Sequence, residues 1–217
     1  MINIIVDDRE LEVPEGKNLL QACLENDIYI PNLCFLEGMP SPSASCRLCF
    51  VEIEGQDRPV TSCTVKVKAG MQVRTDTPAV RQLQKSALKL LLSVHDIDCR
   101  HCPANKKCAL QQIARFLKTG LNSKPLDTIL KEPDVDASHP CFDYYPNRCV
   151  LCGKCVFVCK QKNGQNMLTF AKRGFATLIS SYGGAAALDG SCEDCLACVD
   201  ICPVGALVTK PASGGDG

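Results

Sequence analysis

Residues 149–160 read CVLCGKCVFVCK, and residues 192–203 read CEDCLACVDICP. Cys149, Cys152, Cys155 and Cys159 follow C-x2-C-x2-C-x3-C, and Cys192, Cys195, Cys198 and Cys202 repeat the spacing 43 residues further on. The chain has 217 residues and 17 cysteines, so these residues have to be explained before anything else. An odd number of cysteines does not close into a disulfide framework, and the opening MINIIVDDRELEV lacks the basic, apolar and small-residue regions of an export signal. The expected compartment is therefore the reducing cytoplasm, where clustered thiols hold metal more often than they pair.

The two runs have the spacing of the two-cluster bacterial ferredoxins, in which three cysteines of each run hold one 4Fe-4S cluster and the fourth crosses to the other. On that pattern one set is Cys149, Cys152, Cys155 and Cys202, and the other is Cys192, Cys195, Cys198 and Cys159. Pro203 follows Cys202 as the motif expects, whereas Lys160 follows Cys159, a mild departure because the proline shapes the turn and is not a ligand. Between the runs, Met167 to Phe170 and Phe175 to Ile179 flank Lys172-Arg173-Gly174 and predict a hairpin. Cys141 falls outside the ligand spacing and is expected to be structural.

Working back from the repeat, residues 95–108 read HDIDCRHCPANKKC. Cys99, Cys102 and Cys108 make only three thiols, and His95 would complete a set of three cysteines and one histidine. Both tetrahedral zinc and an iron-sulfur cluster accept imidazole, so spacing alone leaves the metal open. His101 and His139 are expected to be ordinary surface or capping residues. Thr77-Pro78 predicts a helix start, with Val80, Leu83, Ala87, Leu90, Leu91 and Val94 forming an apolar face that runs up to His95. A second helix is expected after Cys108, with Leu110, Ile113, Ala114 and Leu117 on one face and Gly120 as its C-terminal cap.

In the first 78 residues Ile2, Ile4 and Val6 alternate as in a strand, and Leu11 to Val13 follows the polar turn Asp7-Asp8-Arg9. Leu20, Cys23 and Leu24 predict a short helix with Cys23 in the core, and Val51 to Ile53 and Met71 to Arg74 are strand candidates next to Gly55 and Gly70. Cys34, Cys46, Cys49 and Cys63 stand at C-x11-C-x2-C-x13-C, a close pair with two distant partners that suits a 2Fe-2S cluster wrapped by a long loop. Ser41, Ser43, Ala44 and Ser45 are small enough to let backbone amides approach sulfur. Structural zinc is the alternative here.

Lys plus Arg and Asp plus Glu both total 24, and no basic stripe with interleaved aromatics appears, which speaks against nucleic acid. Apolar runs are well short of the roughly 20 residues that cross a bilayer. No G-x-G-x-x-G or phosphate loop is present. The fold class expected is α+β in modules: a 2Fe-2S ferredoxin-like β-grasp over 1–78, a helical module carrying the histidine and its three cysteines over 79–139, a two-cluster ferredoxin module over 140–210, and a flexible tail over 211–217.

The order of packets closely resembles the N-terminal iron-sulfur part of the large subunit of respiratory complex I, shared with iron-only hydrogenases and with the small diaphorase subunit of NAD(P)-linked soluble hydrogenases. The resemblance spans about residues 2 to 209 and all sixteen ligand positions. It implies that His95, with Cys99, Cys102 and Cys108, holds a 4Fe-4S cluster, for a total of one 2Fe-2S and three 4Fe-4S clusters. Because the chain ends soon after Cys202, the expected likeness is to the short diaphorase subunit. The resemblance implies a relay, without a substrate-converting site of its own, between an FMN- and NAD(P)-binding flavoprotein subunit and a catalytic nickel-iron hydrogenase subunit. A formate dehydrogenase or an electron-bifurcating complex is the close variant, with ferredoxin as a further partner it admits. The competing reading is a zinc-stabilised interaction protein.

Overall fold

Alternation of apolar residues at the N-terminus produces a hairpin. β1 (Ile2–Val6) and β2 (Arg9–Val13) pair antiparallel from Ile2 opposite Val13 to Val6 opposite Arg9. Asp7 and Asp8 make the turn in the left-handed region, at φ 49 and 67, which short polar side chains tolerate and which matches the twist of the strands. The computed structural model describes residues 1–181, 192 and 195–211, so the expected flexible tail lies, apart from Pro211, outside the described residues.

The chain packs as two compact units, Met1–Leu92 with Leu110–Leu126, and Ser93–Ala109 with Asp127–Gly217. In the first, β1 is also parallel to β5 (Gln72–Arg74), β5 is antiparallel to β3 (Phe50–Ile53), and β3 is antiparallel to β4 (Val60–Thr61). The strand order is β2-β1-β5-β3-β4. Helix α1 (Leu19–Glu25) sets Leu19, Leu20, Ala22 and Cys23 into a core with Ile4, Val6, Val51 and Val73. Cys23 is fully buried there.

Helix α2 (Pro78–Leu92) starts at the expected proline, with the Val80 amide donating to Thr77 Oγ1 at 3.2 Å. Its buried face differs from the one read from apolar spacing: Val80, Gln84, Ala87, Leu88 and Leu92 are inside, while Leu90 is 61% exposed. Gln84 stays in because its Nε2 donates to the Phe50 carbonyl at 3.2 Å, which turns the helix toward a face containing a polar residue. The helix also ends before His95. Helix α3 (Ala109–Phe116) buries Leu110, Ile113 and Ala114. Its cap is not Gly120. Lys118 takes the left-handed conformation at φ 50, its amide donating to Arg115 and that of Thr119 to Ala114, a complete Schellman motif closed without glycine.

In the second unit β6 (Phe142–Tyr144) pairs antiparallel with β9 (Leu207–Thr209), and β7 (Leu168–Ala171) with β8 (Leu178–Ser181). The hairpin expected between the cysteine runs is therefore present, but Phe175 lies in a short 3-10 turn, Gly174–Ala176, and is exposed, so the second strand begins only at Leu178. Helices α4 (Lys154–Asn163) and α5 (Ala197–Asp200) form within the two cysteine runs, α4 carrying Cys155 and Cys159 and α5 carrying Cys198. His139 is not a surface residue: it is buried, stacked on Phe142 with centroids 3.7 Å apart, and its Nδ1 accepts the Cys141 amide at 3.2 Å. His101 is exposed beside Asp98. Among the described residues no helix is long and apolar enough to cross a membrane.

Candidate metal centres

In the first unit Cys34, Cys46, Cys49 and Cys63 are all buried. Cys34 follows α1, Cys46 and Cys49 lead into β3, and Cys63 sits in the 3-10 turn Ser62–Thr64. The sulfurs meet: Cys34 and Cys46 are 3.4 Å apart, and the Cys63 thiol is hydrogen-bonded with both Cys34 and Cys49. Hydrogen bonds from Cys46 and Cys63 drive the Cys34 thiol far down, and one from Cys63 brings Cys49 down to about 7. The same contacts push Cys46 and Cys63 up. Four buried thiols in contact cannot all ionise unless positive charge is placed among them, which is what metal coordination supplies.

Backbone amides also point at these sulfurs. The amide of Cys46 donates to Cys34, that of Leu48 to Cys46, and that of Cys63 to Cys49. Ala44 and Arg47 adopt φ of 50 and 53, which turns successive N–H groups inward as in other anionic nests. Non-glycine residues rarely hold this conformation without a local return, and N–H···S bonds are one of the levers on an iron-sulfur centre.

In the second unit a small cavity is lined by Cys149, Cys152, Cys155 and Cys202. Three thiols of the first run and the last thiol of the second thus share one chamber. Cys155 and Cys159 are one turn apart on the same face of α4, about 6 Å along the axis, and of the two only Cys155 lines this cavity. The rest of the wall is mostly apolar, including Val150, Ile179, Val204 and Leu207. Amides of Leu151 and Ala206 donate to Cys149 at 3.4 Å and Cys202 at 3.3 Å, and that of Lys154 to Cys152. Leu151, Gly153 and Gly205 are left-handed, at φ 51, 76 and 66. Burial pushes the Cys152 thiol up to about 11 and Cys155 higher still, so empty chambers would favour neutral thiols.

One turn further along α4, Cys159 accepts a contact from Asn163 Nδ2 at 3.5 Å. Cys159 and Cys192 both lie within electrostatic reach of Cys198, which burial first and these neighbours next push up to about 12. Cys195 is tied to Cys192 by its amide, at 3.3 Å.

The segment Ser93–Ala109 carries His95, Cys99, Cys102 and Cys108 in the second unit. His95 is 9% exposed, and its Nδ1 is buried with no hydrogen-bond partner. Burial pushes the imidazole down to about 4, against the opposing effects of Asp96 and of a hydrogen bond to the Arg148 carbonyl. A neutral ring held by a backbone carbonyl, with an orphaned nitrogen, has the electronic state of a metal ligand. Cys108 is buried and Cys99 and Cys102 half-buried. The segment is pinned by Asp96 N to Asn147 O at 2.7 Å and by Ala109 N to Pro203 O at 2.9 Å. Among the described residues no three His, Cys, Asp or Glu side chains are gathered as a single metal ion requires.

Residues that spacing did not single out also reach the sulfurs. Tyr144 lines the same chamber as Cys149, and burial followed by the charge of Cys149 pushes the phenol up. Tyr144 is five residues from Cys149, and its approach depends on β6 pairing with β9, so local sequence carried no signal for it.

Comparison with known proteins agrees with this chemistry. Residues 1–78 match the family model of a 2Fe-2S iron-sulfur cluster binding domain, residues 84–120 that of the NADH-ubiquinone oxidoreductase-G iron-sulfur binding region, and residues 140–208 that of the NADH-quinone oxidoreductase subunit 3 ferredoxin-like domain. The NADPH-Fe(3+) oxidoreductase subunit alpha of Geobacter sulfurreducens is 35% identical over 97% of this chain and 24% of its own length. The NADP-reducing hydrogenase subunit HndD of Solidesulfovibrio fructosivorans is 33% identical over 96% of this chain and 36% of its own. The chain thus spans about a quarter to a third of the length of these curated relatives. A chain in the crystal structure of an NAD+-reducing [NiFe]-hydrogenase in the H2-reduced state superposes with a TM-score of 0.84 at 30% identity, covering all of this chain and 90% of that one.

Proposed function

We propose that this chain, which belongs to the iron-sulfur family that includes the NADH-quinone oxidoreductase G-type subunits and a chain of NAD+-reducing [NiFe]-hydrogenase, relays single electrons within an NAD(P)-linked oxidoreductase complex. In this reading Cys34, Cys46, Cys49 and Cys63 hold a 2Fe-2S centre in a ferredoxin-like β-grasp. Three 4Fe-4S centres are held by His95 with Cys99, Cys102 and Cys108, by Cys149, Cys152 and Cys155 with Cys202, and by Cys192, Cys195 and Cys198 with Cys159. Bound iron-sulfur centres supply one-electron redox chemistry. The chain's own residues ligate, donate hydrogen bonds to sulfur and exclude water.

The observation that carries the proposal is the apolar chamber lined by thiols from both cysteine runs. A crossed set of four, with amides aimed at the sulfurs, suits a polynuclear centre better than a scaffold of independent zinc sites. The partners proposed are an FMN- and NAD(P)-binding flavoprotein subunit and a catalytic hydrogenase subunit. The proposal of three ligand modules over 1–78, 79–139 and 140–210 goes with it.

The test is anaerobic purification followed by iron and sulfide analysis and electron paramagnetic resonance. About 14 irons per chain are expected, from one 2Fe-2S and three 4Fe-4S centres. His95→Ala should disturb one 4Fe-4S signal and His101→Ala none. NADH should reduce the centres only after the flavoprotein is added. Stoichiometric zinc with no acid-labile sulfide refutes the reading.

A further inference from the structure

We propose that Tyr144 sets the reduction potential of the centre at Cys149, Cys152, Cys155 and Cys202, by donating its hydroxyl proton to the Cys149 sulfur. The inference rests on the ligand reading above and adds a positioning residue to it.

Tyr144 is 4% exposed and lies in β6, paired with Leu207 on one side and bridged to Asp136 on the other. Its ring forms part of the wall of the four-cysteine chamber. Its oxygen accepts the Ile179 amide of β8 at 3.2 Å. A phenol has one proton to give, and with an acceptor site taken by Ile179 that proton is left for the chamber whose wall Tyr144 shares with Cys149. Two strands therefore fix the direction of a single O–H group. The apolar residues around it keep water from replacing the bond or screening it.

The sign of the effect follows from charge. Oxidised and reduced forms of the centre differ by one electron, and no covalent bond of Tyr144 forms or breaks. Added negative charge is shared with the ligating sulfurs, so a donor to Cys149 binds more strongly to the reduced form and raises the potential. Removing the hydroxyl must lower it.

The experiment is an anaerobic redox titration of the full chain, followed by electron paramagnetic resonance, with iron and sulfide counted on the same samples. Tyr144→Phe is expected to keep the full iron count, to shift one 4Fe-4S centre to lower potential, and to lose a strongly coupled exchangeable proton from that centre's electron-nuclear double resonance spectrum. Tyr145→Phe is the control. Its ring lies under the Arg148 guanidinium at 4.0 Å, and all potentials should stay in place. An unshifted potential in fully loaded Tyr144→Phe, or an equal shift of all centres, overturns the tyrosine's role alone. Should Tyr144→Phe fail to retain the centre, the wild-type chain labelled with 3-fluorotyrosine, a more acidic donor, must show that centre at higher potential, and no shift overturns the proposal. Cys202→Ser that leaves every 4Fe-4S signal intact overturns the ligand reading and this proposal with it.

Discussion

Asn18 donates its side-chain amide to the backbone carbonyl of Cys63, 2.6 Å away, while its Oδ1 accepts the Gln21 amide at 3.2 Å. One buried side chain thus starts α1 and holds the turn that carries a candidate ligand. Asn18→Ala removes the cap and leaves the Cys63 carbonyl unpaired, a loss of about 1–3 kcal/mol. Asn18→Asp keeps the cap oxygen but removes the amide donor. Both should lower the unfolding midpoint and quicken loss of the 2Fe-2S signal under chelator. If Asn18→Asp matches wild type in chelator resistance, the link to Cys63 has no weight.

Gly205 has a similar role in the second unit. It sits at φ 66, and a Cβ placed on it would lie 2.8 Å from Ala104 Cβ and 3.6 Å from Cys102 Sγ. Gly205→Ala should therefore cost about 1–3 kcal/mol, from overpacking and the left-handed conformation together. It should also broaden the signal of the His95 site. Adding Ala104→Gly relieves the clash but not the backbone cost. A double-mutant cycle on chemical unfolding should show coupling between these positions, and strict additivity would contradict the contact.

The face of α2 can be checked with two leucines two residues apart. Leu88 is fully buried and Leu90 is 61% exposed. Leu88→Ala is expected to cost about 2–5 kcal/mol, whereas Leu90→Ala should stay within about 0.5 kcal/mol of wild type. Equal losses in denaturant titrations would return the helix to the face suggested by apolar spacing.

Alkaline stability should report on Cys23. Burial, with Asp7 adding, pushes its thiol up from an ordinary 9.0 to about 12. Between those values the unfolded chain releases a proton that the folded chain keeps, so stability that is fully present below pH 9 is lost as the pH rises toward 12. The loss attributable to this group is at most about 4 kcal/mol. Cys23→Ala should be somewhat less stable at neutral pH, because of the cavity, yet fall less steeply through this window. Parallel pH profiles for the two proteins in anaerobic circular dichroism would rule the effect out.

The cysteine spacings, the N-terminal hairpin, the existence of α1 and the start of α2 were legible in sequence because each depends on residues within a turn or two of one another. The start of α2 needs only Thr77 and Pro78, and the hairpin only alternation and two aspartates. The buried face of α2 was not legible, since it depends on Gln84 finding a carbonyl in β3, thirty-four residues away. The cap of α3 escaped for another reason: Lys118 tolerates the left-handed conformation once two hydrogen bonds hold it, so the following glycine was a misleading marker.

For the candidate centres the division is similar. Which side chains are chemically fit to bind metal is a property of residue type and local spacing, and spacing alone determined that much for the thiols, while the assignment of His95 came from the family resemblance of the packet order. The grouping of Cys202 with Cys149, Cys152 and Cys155 was expected from the two runs, whereas that the His95 ring is desolvated with an orphaned nitrogen and that Tyr144 shares the chamber of Cys149 were decided only by tertiary structure. Burial and the direction of a hydrogen bond are set by strands and turns far apart in the chain, and no local pattern encodes the distance between them.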